Sequence, residues 1–249
     1  MAEIQFSLCI PTMNRFEEFL SDYLEIYVDM KQAGIIQEII VCDETGEDYQ
    51  KIVEKYGQDG PIRAFKNECK LGAFKNKLRV ASHANPANFI AVIDSDNLVD
   101  QAYFHAARQF IVSNHLTTKD HIVLCPCRTI SDFEFDYSEY ADQCFDYLKA
   151  RKYSGFSKFQ MMLNTGNYIL TKPVYNGLYV LDGNIDQAGP NDVIYKHLLA
   201  FQQDPKYRVF VVKDMIYIHV VHIQSLYLQT HQAAIPFYQH VIVPELCRL

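Results

Sequence analysis

The pair of acids in Asp94-Ser95-Asp96 has the most definite chemistry in this 249-residue sequence. It follows Phe89 to Ile93, an unbroken apolar run in which Ile90, Val92 and Ile93 are β-branched, so the run reads as a strand covered on both faces. In an extended chain residues i and i+2 point to the same side. The two carboxylates therefore converge just beyond the strand end, where open α/β sheets bind ligands. Unit charges ~4 Å apart repel by roughly 4 kcal/mol at an effective dielectric of 20. A divalent cation would remove that conflict and also bind a diphosphate. A bare D-x-D can equally be a solvated turn, so the surroundings decide. Six basic residues (Arg63, Lys66, Lys70, Lys75, Lys77 and Arg79) against one acid, Glu68, lie just before the pair. They form a local positive face suited to phosphate oxygens.

The elements that must position these groups follow from hydrophobic pattern. Ile4 to Ile10 reads as a buried strand closed by Pro11-Thr12, and Phe16 to Ala33 as a helix with Asn14 as N-cap and Gly34 as stop. Ile35 to Cys42 is a second strand ending on Asp43-Glu44, and Glu47 to Tyr56 a short polar helix. Ile62 to Phe65 is a third strand, and a helix over Leu71 to His83 delivers the chain into the central strand. The order β-α-β-α-β-α-β predicts an α/β fold with a mostly parallel central sheet flanked by helices. Beyond Asp100 the pattern predicts a helix over Gln101 to Asn114 and strands over His121 to Cys127 and Tyr168 to Thr171. Helices over Phe156 to Leu163 and Val193 to Phe201 are followed by strands over Tyr207 to Val212 and Met215 to Val221, then a C-terminal tail helical as far as Pro236.

Composition sets outer bounds. A hydrophobic content of 49% and a charged content of 21% are ordinary for a soluble globular chain. A net charge of -7 gives no reason to expect nucleic acid as partner. Seven irregularly spaced cysteines argue for a reducing compartment and against a disulfide framework, and Cys125-Pro126-Cys127 reads as buried small side chains. No signal peptide or transmembrane segment is evident, so a cytoplasmic location is expected.

Three strand ends, SLCIPTMNR, EIIVCDETGED and NFIAVIDSDN, stand in an order that resembles the GT-A glycosyltransferases, most nearly the family 2-like enzymes. Those run strand-P-x-x-N-[RK], strand-D-[DE]-x-S-x-D, strand-D-x-D. Gly72, Lys75 and Asn76 in the helix before the acids also resemble that family's pattern, although Thr45-Gly46 stands near its usual Ser. The resemblance covers the first hundred residues well and the remainder loosely. It implies one GT-A domain over 1–249, with a nucleotide-sugar half at 1–100, an acceptor half at 101–224 and a tail at 225–249.

The resemblance also implies roles. Pro11, Thr12, Asn14 and Arg15 would line the nucleotide, and Asp43 would read the base, favouring uracil. Lys75 and Asn76 would approach the nucleotide, and Asp94, Ser95 and Asp96 the diphosphate with Mn²⁺ or Mg²⁺. His222, or otherwise His219, would complete the metal shell. Gly166-Asn167 would sit at the acceptor. Asp192, at the start of a helix where Asn191 replaces the usual Glu, would be the general base of an inverting transfer, with Asp182 and Asp186 as substitutes. An ordinary helix cap is the competing reading of Asp192. The acidic and aromatic segment from Asp132 to Asp146 is either an acceptor-recognising insert or an exposed acidic face.

Three rivals are weighed against this. Haloacid dehalogenase-type phosphotransferases also use strand-D-x-D, but after the first strand and followed by Thr or Val, whereas here Asn97-Leu98 follows. A nucleotidyltransferase should carry a Gly-rich loop after the first strand, and Pro11 to Arg15 contains no glycine. The third rival is a catalytically inactive sugar-nucleotide-binding subunit.

Overall fold

A computed structural model describes residues 3–131, 136–144, 167–177 and 206–220. Among these, a seven-stranded sheet has the order β3-β2-β1-β4-β6-β5-β7. Strands β1 (Phe6–Thr12), β2 (Glu38–Asp43), β3 (Ile62–Lys66) and β4 (Phe89–Val92) are mutually parallel. Strand β6 (Tyr168–Leu170) runs antiparallel to β4 and to β5 (Ile122–Ser131), and β7 (Arg208–His219) pairs parallel to β5. This is the mostly parallel sheet expected from the strand–helix alternation, reversed once at β6.

The middle of the sheet is buried because its strands leave no polar face. Every residue of β1 and β4 is buried, as parallel strands covered on both sides must be. Helices α1 (Ser21–Gln32) and α2 (Glu47–Tyr56) pack on β2, with α2 also on β3. Helix α3 (Ala73–Ser82) packs on β1, β2 and β4, and α4 (Gln101–Ser113) on β7. The Phe6 ring lies 5.3 Å from Phe104 and 6.1 Å from Phe89, joining β1, α4 and β4 in one core. A short helix α5 (Lys172–Gly177) follows β6.

Three local expectations need correction. Asn14 is not an N-cap: it lies at φ 56, and a π-helical turn (Phe16–Leu20) follows, with Arg15 in the cap position. Asn tolerates that left-handed backbone better than most residues. The two late strands are one strand, β7, because Lys213-Asp214 forms a bulge rather than a turn. The pairing with β5 shifts between Pro126↔Val212 and Arg128↔Ile216, and Asp214 takes φ 62 to accommodate the extra residues. Strand β5 runs to Ser131, past its expected end at Cys127. Gly34 does stop α1. At φ 73 it donates to Lys31 O while Ile35 N–H reaches Met30 O, a Schellman closure.

Cys125 and Cys127 are buried as expected, and none of the described cysteines is in a disulfide. Among the described residues no helix is long and apolar enough to cross a membrane. The expected helices over Phe156 to Leu163 and Val193 to Phe201, and the C-terminal tail, lie outside the described residues.

Candidate active site

Strand β4 delivers the acids, and three separate elements hold the loop that carries them. Ile93 N–H still pairs with Cys9 O on β1 at 3.0 Å. Asp94 N–H then donates to Asn167 Oδ1 at 3.0 Å, and Asn97 N–H closes a turn onto Asp94 O. From the far end of the sheet, Leu98 and Ile218 exchange both backbone hydrogen bonds, at 3.1 and 2.9 Å. Val220 N–H donates to Asn97 Oδ1 at 3.0 Å. From α1, the Tyr27 hydroxyl donates to Asn97 O and accepts from Val99 N–H, each at 3.4 Å. Asn167 is wholly buried, and its carbonyl accepts from the Tyr103 hydroxyl.

These ties leave Asp94 and Asp96 half-buried with Ser95 buried between them. Lys77 on α3 places Nζ 2.7 Å from Asp94 Oδ1. Burial raises the Asp94 carboxyl above its ordinary value and Asp96 adds to the rise, while Lys77 and, less strongly, His219 pull it down. Burial and then Asp96 raise the Tyr23 phenol of α1 in the same way. His219, at the end of β7, is thereby within electrostatic reach of the acids, and its Nδ1 lies 3.3 Å from the Tyr217 hydroxyl.

The adjoining strand ends form the second half of the edge. Asp48 of α2 is buried and accepts from the Thr12 hydroxyl and from the backbone N–H groups of Arg15 and Phe16, fastening the loop after β1. Pro11 and Thr12 are buried, and Asn14 is exposed, its Oδ1 accepting from the Thr45 hydroxyl at 2.9 Å. Asp43 is wholly buried. Its oxygens accept from Thr45 N–H at 3.1 Å and Tyr49 N–H at 3.0 Å, which locks the turn into α2. Gly46 lies at φ 93 in the cap position of α2, a left-handed backbone that glycine adopts without strain.

Asn76 of α3 is buried with its amide fully engaged. Its Nδ2 donates to Cys42 O and Thr12 O, and its Oδ1 accepts from Asn67. It braces the ends of β1 and β2 from beneath. Lys75 is half-buried and makes no ion pair among the described residues.

The structure thus brings Pro11, Thr12, Asn14, Arg15, Asp43, Asn76, Asp94, Ser95, Asp96, Asn167 and His219 to one edge of the sheet. Gly166, Asp182, Asp186, Asp192 and His222 lie outside the described residues. Sequence reasoning gave no role at this edge to Asn97, Tyr27 or Asp48, and saw Lys77 only as one of six basic residues. Asp48 had a readable signal, since it is the last Asp of the D-[DE]-x-S-x-D pattern. Tyr27 and Asn97 had none, because their partners are distant in sequence.

The donor set of carboxylates and an imidazole suits Mn²⁺ or Mg²⁺. Burial and, less strongly, Asp96 raise the Asp94 carboxyl, and a cation beside the acids would offset both. Among the described residues no three His, Cys, Asp or Glu side chains stand close enough to enclose a cation unaided.

No family model matches the chain, and neither does any curated protein. Solved structures do. S. aureus TarS is 18% identical at a TM-score of 0.62, over 87% of this chain and 60% of that one. TarS in complex with UDP-GlcNAc aligns over 94% of this chain at a TM-score of 0.59. GalNAc-T7 with UDP, GalNAc and Mn²⁺ is 14% identical at a TM-score of 0.60, over 89% of this chain. The chain spans about 60% of that TarS structure and 44% of GalNAc-T7. With both neighbours sharing its sheet and flanking helices, this chain has the GT-A fold.

Proposed function

We propose that the protein is a glycosyltransferase that moves a sugar from a nucleoside-diphosphate donor, a UDP-sugar, to an acceptor hydroxyl with inversion at the anomeric carbon. One observation carries the reading: at the carboxyl edge of a GT-A sheet Asp94 stands two residues from Asp96, is paired with Lys77 and lies within electrostatic reach of His219. The complexes of TarS with UDP-GlcNAc and of GalNAc-T7 with UDP and Mn²⁺ support the same donor chemistry.

In this reading Asp96 would hold Mn²⁺ or Mg²⁺, with Asp94 and either His219 or His222 as further candidates. A bound cation supplies the positive charge that stabilises the departing diphosphate. Lys77 keeps Asp94 ionised and in place while Asn97, Asn167 and Tyr27 fix the loop. Pro11, Thr12, Asn14 and Arg15 line the nucleoside, and Lys75 approaches the phosphates. Gly166-Asn167 borders the acceptor. Asp192 removes the proton from the acceptor hydroxyl as that oxygen bonds to the anomeric carbon and the bond to the diphosphate breaks on the opposite face.

The test is UDP release from a panel of UDP-sugars with Mn²⁺ and no acceptor. Slow hydrolysis of one donor, lost with EDTA and in Asp96→Ala, is the expected result. Tight UDP binding without release from any donor would instead mark a binding subunit.

A further inference from the structure

Base recognition offers a choice between two neighbouring acids, and the structure distinguishes them. Asp43 is enclosed, with an oxygen on each of two backbone N–H groups. Glu44 is 6% exposed and engaged on one side alone: Oε2 accepts from Leu71 N–H at 2.7 Å, whereas Oε1 is buried and has no hydrogen-bond partner among the described residues. It is the one carboxylate oxygen in that condition there. A buried charged acceptor without a donor is costly, and native structures retain such groups where a ligand or water completes them.

Its position is the relevant one. Glu44 directly follows β2, and its own N–H donates to Thr12 O at 3.0 Å, setting it beside the end of β1. Its side chain reaches the Lys70-Leu71-Gly72 turn that opens α3. Glu44 therefore stands on the same carboxyl edge as Asp94 and Asp96, between the strand ends expected to line the nucleoside.

Resting on the donor reading above, we infer that Glu44, and not Asp43, is the carboxylate that reads the nucleobase. A single charged acceptor matches a single donor. The imide N3–H of uracil or thymine fits it. Guanine presents N1–H and N2–H together and leaves one unmet, and N3 of cytosine carries no hydrogen. Leu71 N–H holds the other oxygen and so keeps the carboxylate from turning to a two-donor edge.

The experiment is calorimetric titration of the full chain with UDP, dTDP, CDP and GDP in Mn²⁺, for wild type, Glu44→Gln, Glu44→Asp and Asp43→Asn. The expected result is that wild type prefers UDP and dTDP, and that the pyrimidine with N3–H loses its advantage over CDP by about ten- to a hundredfold in both Glu44 variants. Adding dUDP, which differs from UDP only in the sugar and from dTDP only in the base methyl, separates ribose from base effects. A wild type that prefers GDP or CDP overturns the inference without any variant. Preference retained in the Glu44 variants but erased in Asp43→Asn overturns it too, and leaves the donor reading standing. A wild type that binds none of the four removes the donor reading itself. Melting temperatures measured alongside identify a variant that loses binding by unfolding, and the wild-type preference then decides.

Discussion

Lys77 and Asp94 show how one side chain can hold an unfavourable charge arrangement together. Burial and Asp96 push the Asp94 carboxyl up, and Lys77 opposes both. A carboxylate whose pKa is raised by folding weighs against the folded state as pH rises through the folded value, and stops doing so once protonated. Lys77→Met pushes the carboxyl further up. Unfolding in urea should then show a loss of about 1–3 kcal/mol near neutrality, between the values for exposed and buried pairs. The loss should shrink toward zero as the solution is acidified and Asp94 becomes protonated in both proteins. An equal loss at neutral and acid pH would mean that Lys77 acts by packing and not by charge. The sequence showed Lys75 and Lys77 only as parts of one basic face. Residues two apart on a helix point to different sides, and the rotation of α3, set by buried Phe74, Asn76, Val80 and Ala81, turns Lys77 to the acids.

At the scale of elements, the two edges of the parallel sheet have separate duties. The carboxyl edge carries the candidate site, while the amino edge is tied by Glu38 of β2. Glu38 Oε1 accepts from Ser7 Oγ at 2.7 Å, Asn85 N–H at 2.9 Å and Asn88 Nδ2 at 3.1 Å, and Oε2 pairs with Arg63 at 2.6 Å. Removing such a partly buried hub strands several donors. Glu38→Ala should therefore cost about 2–4 kcal/mol by chemical denaturation. UDP affinity at the opposite edge should stay within a factor of two or so. A large affinity change with little loss of stability would contradict that division. Strands β1, β2 and β4 were readable because each is a mainly apolar run ended by polar chemistry. Strand β7 was not, because Lys213-Asp214 looks like a turn. Only the pairing with β5, together with Asp142 accepting from Lys213 N–H, makes it a bulge.

Across the whole molecule, the site depends on contacts that hydrophobic pattern does not encode. Asn97 and Val220 meet across 123 residues, and Asp94 and Asn167 across 73. Asn167 illustrates the consequence: its Gly-Asn context pointed to an acceptor, and the structure finds its side chain holding the acidic loop by Asp94 N–H. The end of β7 is stitched to that loop through Ile218 and Val220, which sets His219 beside it, while His222 lies outside the described residues. In the proposed reaction β1, β2, β4 and β7 carry the donor groups, and the proton acceptor is assigned to the second half of the sequence. Asp192 is the assignment to test. Asp192→Asn should retain Mn²⁺-dependent stabilisation by UDP in a melting assay, because the donor contacts lie on other elements. Donor hydrolysis should fall about 10²–10⁴-fold, the span usual for removal of a general base. Loss of UDP stabilisation would place Asp192 at the donor instead. Unchanged hydrolysis would move the base to Asp182 or Asp186, whose Asn variants would then show the fall.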